Sequence, residues 1–304
     1  MTSKFLSIGE CMVEMTPTPD GTYAMGFAGD TLNTAWYARK TFPANWQISY
    51  LTAVGKDQVS SEMLDFLTAS GIGTEHIRSL NDRTVGLYMI HLNEGERSFA
   101  YWRSNSAARC LAADPAHLES ALSSADVIYF SGITLAILHD QDRQRFFSAI
   151  VRAKAGGAQI AFDTNLRPKL WPDLETLRKV TMEAAALADI ILPSFEDEER
   201  YFGDADPKVT AQRYRATGTP LVIVKNGPED VLCASAEAIE THAVLRAEAI
   251  VDTTAAGDSF NSGFLANHFQ GGSLADSVLA GSRLASAVIG NRGALIDGLV
   301  SAQA

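Results

Sequence analysis

Apolar residues recur along the chain in short, strand-length runs, separated by stretches where they return every third or fourth position. Phe5–Ile8, Ile48–Val54, Val127–Phe130, Gln159–Phe162, Ile190–Leu192, Leu221–Val224 and Ala249–Val251 are dense in β-branched, aromatic or other apolar residues and predict strands. Helical spacing fills Gln58–Ala69, Gln141–Ala155, Leu174–Ala186, Lys208–Thr217 and Gly257–His268. Strands alternating with helices predict an α/β fold, with a largely parallel sheet covered on both faces.

Two regions break this rhythm. Thr84–Leu92 and Arg97–Arg103 read as strands, and the polar turn Asn93-Glu94-Gly95-Glu96 between them predicts a hairpin. Alternation puts Phe99, Tyr101 and Arg103 on one face of its second strand. Glu10–Gly29 is poorly helical and carries turn and aromatic residues. Residues of about 10–29 and 84–103 together predict a small second sheet acting as a lid. No Pro- or Ser-rich linker interrupts the chain, so residues 1–304 read as one domain with that lid. Gly71-Ile72-Gly73-Thr74-Glu75-His76 begins like a dinucleotide fingerprint. It lacks the final glycine and follows a predicted helix, so it reads as a turn.

Composition narrows the function classes. Apolar residues make up 46% of the chain, enough for a substantial core, yet every apolar run is too short for a transmembrane helix. A net charge of −11 repels a phosphate backbone and argues against nucleic acid as a partner. The opening Met1–Glu10 reads as a first strand, not as a secretory leader. Cys11, Cys110 and Cys233 are far apart and form no metal or disulfide pattern, which points to a reduced, cytoplasmic setting. The six histidines show no paired-ligand spacing. No GxxxxGK[ST] phosphate loop exists, because Gly55-Lys56 is followed by Asp57.

Asp163, Ser194, Lys225 and Asp252 each follow a predicted strand, on the edge where open α/β sheets bind ligands. The richest segment is Asp252-Thr-Thr-Ala-Ala-Gly-Asp-Ser-Phe260. Ala255-Ala256-Gly257 has almost no side-chain bulk, so its backbone N–H groups can approach an anion at the start of a helix. Asp258 then sits where a carboxylate can accept a hydroxyl proton. By spacing alone, Asp252 or Asp258 fits a helix cap equally well.

Asp252-Thr-Thr-Ala-Ala-Gly-Asp-Ser-Phe-Asn-Ser-Gly-Phe264 closely resembles the C-terminal signature of the ribokinase-like (PfkB) carbohydrate kinases. The resemblance covers nearly the whole chain, through Gly9–Glu14, Gly29–Asn33, Gly55–Asp57, Phe162–Arg167 and Lys225–Gly227 in the family's order. It implies a three-layer α/β/α sandwich with a small β-sheet lid, and the use of ATP and Mg²⁺. It also implies an anion hole at Ala255, Ala256 and Gly257, with Asp258 as the base. Within the family, Gly26–Thr34, Gly86–Tyr88, Gly95–Arg103, Ser131–Ile137 and Asn165–Trp171 are most similar to the branch that phosphorylates 2-keto-3-deoxygluconate at its 6-hydroxyl. That similarity implies a sugar-acid site lined by Gly29, Asp30, Asn33, Tyr88, Tyr101, Arg103 and Arg167. A guanidinium fork pairs bidentately with a carboxylate, which suits two arginines to a sugar acid better than to a neutral sugar.

On the nucleotide side the resemblance implies roles for Asn165, Ser194, Lys225 and Gly227. Ser194 and Asp197 replace the family's more usual Asn and Glu at the element that organises metal and phosphate. Many relatives hold a monovalent cation near the position of Asp252. Taken singly, Arg103 and Arg167 also fit surface charges, and Tyr88 and Tyr101 fit packing residues. Rival readings are a family kinase acting on fructose, ribose or a nucleoside, a non-catalytic sugar-acid sensor, or a Rossmann-type redox enzyme. The exposed lid suggests a homo-oligomer, and the sequence does not separate the gluconate from the galactonate epimer.

Overall fold

The computed structural model describes residues 2–93 and 96–299, so Glu94 and Gly95 of the expected hairpin turn lie outside the described residues. The strands are β1 Ser3–Ile8, β2 Met12–Pro17, β3 Tyr23–Ala28, β4 Trp46–Val54, β5 Gly73–Ser79, β6 Gly86–Asn93, β7 Glu96–Trp102, β8 Val127–Ser131, β9 Gln159–Asp163, β10 Ile190–Ile191, β11 Leu221–Val224, β12 Val231–Ala234 and β13 Ile239–His242. The helices are α1 Asp30–Thr41, α2 Gln58–Ala69, α3 Pro115–Ser123, α4 Gly132–Ile137, α5 Asp140–Ala155, α6 Leu174–Leu187, α7 Phe195–Phe202, α8 Pro207–Arg215, α9 Ala256–His268 and α10 Leu274–Ile289. None of them is long and apolar enough to cross a membrane, among the described residues.

Nine strands form the main sheet in the order β13-β12-β11-β10-β9-β8-β1-β4-β5, with every pairing parallel except the antiparallel ones that β12 makes with β11 and with the edge strand β13. Strand alternation sends successive side chains into two cores. Leu6, Ile8, Ile128, Phe130 and Phe162 pack on one face against α3, α5 and α6, with Phe130 stacked on Phe162 at 5.0 Å. Phe5, Tyr129, Ala161 and Ile223 pack on the other face against α1, α2, α9 and α10. The result is a three-layer α/β/α sandwich.

β3-β2-β6-β7 form the second sheet, with β2 and β6 parallel and the outer pairs antiparallel. Its register places Met12, Glu14, Tyr88, Tyr101 and Phe99 on one face, while Met25 and Trp102 fall on the other. Close approach to the main body depends on Gly29. A Cβ there would lie 2.2 Å from the Glu10 carbonyl oxygen, so only glycine lets α1 start against the β1–β2 junction.

Two expectations fail. Ala249–Val251 is not a strand: Ile250 and Val251 are exposed, and the Val251 and Asp252 amides donate to the Ile289 carbonyl. β-Branched residues alone do not make a strand, and this segment pairs with no strand of the sheet, which β12 and β13 continue beyond β11. The segment after Gly71 is more than a turn. Gly71, at φ 72°, reverses the chain, and β5 then pairs with β4 at the opposite edge.

Candidate active site

A cleft of ≈ 1000 Å³ lies between the lid and the carboxyl ends of the parallel strands. Gly29, Asp30, Asn33, Tyr88, Tyr101, Arg103, Asn165, Arg167, Ser194, Asp197, Lys225, Gly227, Ala255, Ala256, Gly257 and Asp258 all line it. Of the residues singled out from sequence, Asp252 alone is not part of this lining. It is buried, accepting from the Thr254 amide (3.0 Å) and hydroxyl (2.7 Å) and from the Gly293 amide (2.8 Å). It thereby ties the loop before α9 to the segment after α10.

α2, α3, α6, α8 and α10 each begin with an Asp or Ser side chain accepting from a first-turn amide. α9 begins differently. Its N-cap is Ala255, left-handed at φ 59° and without a side-chain cap, so no carboxylate or hydroxyl of the cap competes for the first-turn amides. A left-handed non-glycine residue costs about 1–2 kcal/mol and persists where the surroundings over-determine it. The Lys225 ammonium lies beside this turn, 3.7 Å from where a Cβ on Gly257 would sit. An uncapped helix start with an adjacent cation is a natural anion site.

Asp258 occupies the first turn of α9. Its Oδ2 accepts from Asn33 Nδ2 at 2.8 Å, and its carbonyl accepts from the Thr34 hydroxyl at 3.3 Å. Burial first, and then the carboxylates of Asp30 and Asp163, push its pKa well above the usual carboxylate range, against the pull of Asn33 and Lys225. Asp30 is also raised, chiefly by burial, and accepts from Asn165 Nδ2 at 2.7 Å. Asn165 adopts a left-handed φ of 30° to reach it. Asp163, at the end of β9, accepts from Lys225 (3.3 Å) and Asn261 (2.9 Å), and Asn261 in turn donates to the Tyr129 hydroxyl at 3.0 Å.

The lid side of the cleft is aromatic and cationic. Tyr88, Phe99 and Tyr101 cluster with ring centroids 5.9–6.2 Å apart. Tyr88 donates to Glu14, and Arg103 donates to Glu10. Arg167 donates to the Leu166 carbonyl at 2.7 Å and reaches Asp197 at 3.5 Å. Burial raises the Tyr101 phenol, while the nearby charges of Arg103 and Arg167 pull it back down. Arg103 lies 5.9 Å from the centroid of the Tyr101 ring, and Arg167 lines the same cleft.

Much of the remaining wall is apolar: Val231, Val244, Leu245, Ile250, Ala285 and Ile289 follow the turn Asn226-Gly227-Pro228, with Arg246, Ser282 and Ser286 among them. Such a surface suits a flat heteroaromatic base. The sequence reading missed these residues, which come from separated elements and share no motif. It also gave no role to Glu10 and Glu14, although both lie in the Gly9–Glu14 segment that shares in the family resemblance. Asp163, Glu196 and Asp197 bring carboxylates to the same cleft, and burial raises Asp197 against the opposing charge of Arg167. Hard oxygen donors of this kind fit Mg²⁺, which is commonly held by one or two carboxylates together with phosphate oxygens.

Sequence and structure comparisons agree with this geometry. The family profile described as pfkB family carbohydrate kinase matches residues 2–299. The 2-dehydro-3-deoxygluconokinase of Dickeya dadantii is 38% identical over 304 residues, covering 97% of this chain and 98% of its own length. The crystal structure of 2-dehydro-3-deoxygluconokinase from Thermotoga maritima superposes with a TM-score of 0.84 at 19% identity, covering 97% of this chain and 95% of that one. A fructokinase with bound ATP from Xylella fastidiosa superposes at 0.82 with 24% identity, covering 97% and 94%.

Proposed function

The chain belongs to the pfkB family of carbohydrate kinases, and from that premise we propose that it phosphorylates 2-keto-3-deoxygluconate at the 6-hydroxyl with ATP, the activity of a 2-dehydro-3-deoxygluconokinase. The observation that carries the substrate class is the presence of both Arg103 and Arg167 in the lining of the cleft that also holds Asp258. A carboxylate-bearing sugar gives these two donor groups an anionic partner in the cleft, which a neutral hexose does not.

Asp258 accepts the proton of the attacking hydroxyl, with Asn33 fixing which carboxylate oxygen remains free. The first-turn amides of α9 and the Lys225 ammonium stabilise charge on the transferred phosphoryl group. Bound with ATP, Mg²⁺ would neutralise phosphate charge, and Asp197 and Asp163 are the residues placed to hold it. The apolar wall holds the adenine base, and Asn226-Gly227 borders it. Asp30, held by Asn165, and Gly29 complete the sugar pocket. Closure of the lid excludes water that would otherwise hydrolyse ATP.

The same reading takes residues 1–304 as one kinase domain working in the cytoplasm. The lid face opposite the cleft exposes Met25 (50%) and Trp102 (59%), and a second copy of the chain covers them in the proposed homo-oligomer. A monovalent cation bound near Asp252 would appear as a drop in kcat when K⁺ is exchanged for a bulky organic cation. The test of function is coupled ADP release with 2-keto-3-deoxygluconate, its C4 epimer, fructose, ribose and gluconate. The expected result is turnover with one or both keto sugar acids and little with the neutral sugars. Preference for fructose or ribose would overturn the assignment.

A further inference from the structure

Glu10 lies between β1 of the main sheet and β2 of the lid, and only 1% of its side chain is exposed. It accepts from Arg103 through Oε2 and from the Ser106 hydroxyl (2.5 Å) through Oε1. Gly86 makes room for it, since a Cβ there would lie 2.8 Å from Glu10 Oε1. Arg103, only 11% exposed, follows β7, so the ion pair bridges lid and body at the wall of the cleft. The Arg103 Nε is buried with no hydrogen-bond partner among the described residues.

A buried carboxylate touching a buried guanidinium cancels most of its net charge and fixes its plane. Arg167 contrasts with it: half-exposed, and paired with Asp197 only at the longer distance of 3.5 Å, it keeps more of its field. We propose that Glu10 is a positioning residue for substrate recognition. It holds the Arg103 fork in orientation, so that Arg103 reads the geometry of the sugar's carboxylate end while Arg167 supplies most of the charge attraction. This rests on the sugar-acid reading above.

The test is a mutant cycle on the full-length enzyme with 2-keto-3-deoxygluconate and ATP. Glu10→Gln raises the KM for the sugar acid about tenfold, with kcat and the KM for ATP within about threefold, because one oriented charge-assisted contact is disturbed away from the reacting hydroxyl. In an Arg103→Met background the same substitution adds little, whereas in an Arg167→Met background its effect persists. An effect of Glu10→Gln undiminished by Arg103→Met, or a matching rise in the KM for ATP, overturns the proposal.

A second measurement leaves Glu10 untouched and so does not depend on that variant folding. Raising ionic strength weakens sugar-acid binding through the more exposed and more loosely paired cation, so Arg167→Met flattens the salt dependence of KM more than Arg103→Met does. The reverse order refutes the division of roles. Failure of the unsubstituted enzyme to turn over either keto sugar acid would sink the functional reading instead, and the two failures are distinct.

Discussion

Asp258→Asn removes the proposed base while changing almost nothing else. The Asn33 amide donates to Asp258 Oδ2 at 2.8 Å. A substituted amide must turn its carbonyl oxygen toward that donor, which leaves its NH₂ facing the side where the sugar hydroxyl arrives. A proton acceptor is thus replaced by a donor, and general-base assistance of about 10²–10⁴-fold is lost, on the order of 3–5 kcal/mol of barrier. KM for ATP and sugar should change by a few-fold at most. Stability should move the other way. Asp30 and Asp163 both push the Asp258 pKa up, so the ionised carboxylate is held against repulsion, and its neutral replacement should unfold at a higher temperature. Steady-state ADP release and thermal unfolding at neutral pH read both effects. A kcat within tenfold of the unsubstituted enzyme would refute the base assignment, and a lower Tm would refute the account of the carboxylate cluster.

The raised pKa of Asp258 also sets the acid side of the rate profile: kcat/KM falls as pH drops through a midpoint above the ordinary carboxylate value, and a midpoint at or below that value counts against Asp258 as the titrating base. Gly29→Ala drives a methyl group into the Glu10 carbonyl; backbone strain of about 1–3 kcal/mol should appear in denaturant unfolding, with a higher sugar KM because Asp30 and Asn33 follow on the same helix. Ala285→Trp should raise the KM for ATP while sparing that for the sugar, since Ala285 belongs to the apolar wall; equal effects on both substrates would remove the base from that wall. Glu198 is fully buried beside Arg213 (2.8 Å) and the Tyr214 hydroxyl (2.9 Å), and burial lifts its pKa to about 7. A carboxyl raised in the folded state favours folding below its unfolded pKa and loses that contribution as pH rises through about 7. Glu198→Gln should therefore flatten the fall in Tm between pH 5 and 8, and an unchanged slope would contradict it.

How far each element was legible depended on how local its cause is. β11 and α2 were read to the residue, because an apolar run bounded by turn residues and an Asp57 cap are signals within a few positions. β5 and β13 were missed because both are edge strands with mixed burial, stabilised by pairing with β4 and β12 and not by their own pattern. Ala249–Val251 erred in the opposite direction: its composition suits a strand, and only tertiary structure shows that no strand edge receives it. The segment from Asp252 to Phe260 was legible only in part from local signals, since small residues, a helix start and a carboxylate at fixed spacing fit an anion site or a helix cap alike, and the family resemblance chose between them. The helix start was right even though the strand expected before it was not.

Arg103 marks where that kind of reading ends. Taken singly it fits a surface charge at a strand end, and the family resemblance implied a place beside the sugar's carboxylate. The structure gives it a carboxylate already, 93 positions away at Glu10. A buried guanidinium that is already neutralised cannot attract an anion as an isolated charge does, so selection for a sugar acid has to be divided between orientation and field. Arg167, with its long and partly exposed contact to Asp197, is the cation left to supply the field. Counting arginines in a motif therefore points to the class of ligand but does not divide the work between them. That division depends on a partner that no spacing rule connects to Arg103, in a junction that only the folding of the lid onto the sheet brings together.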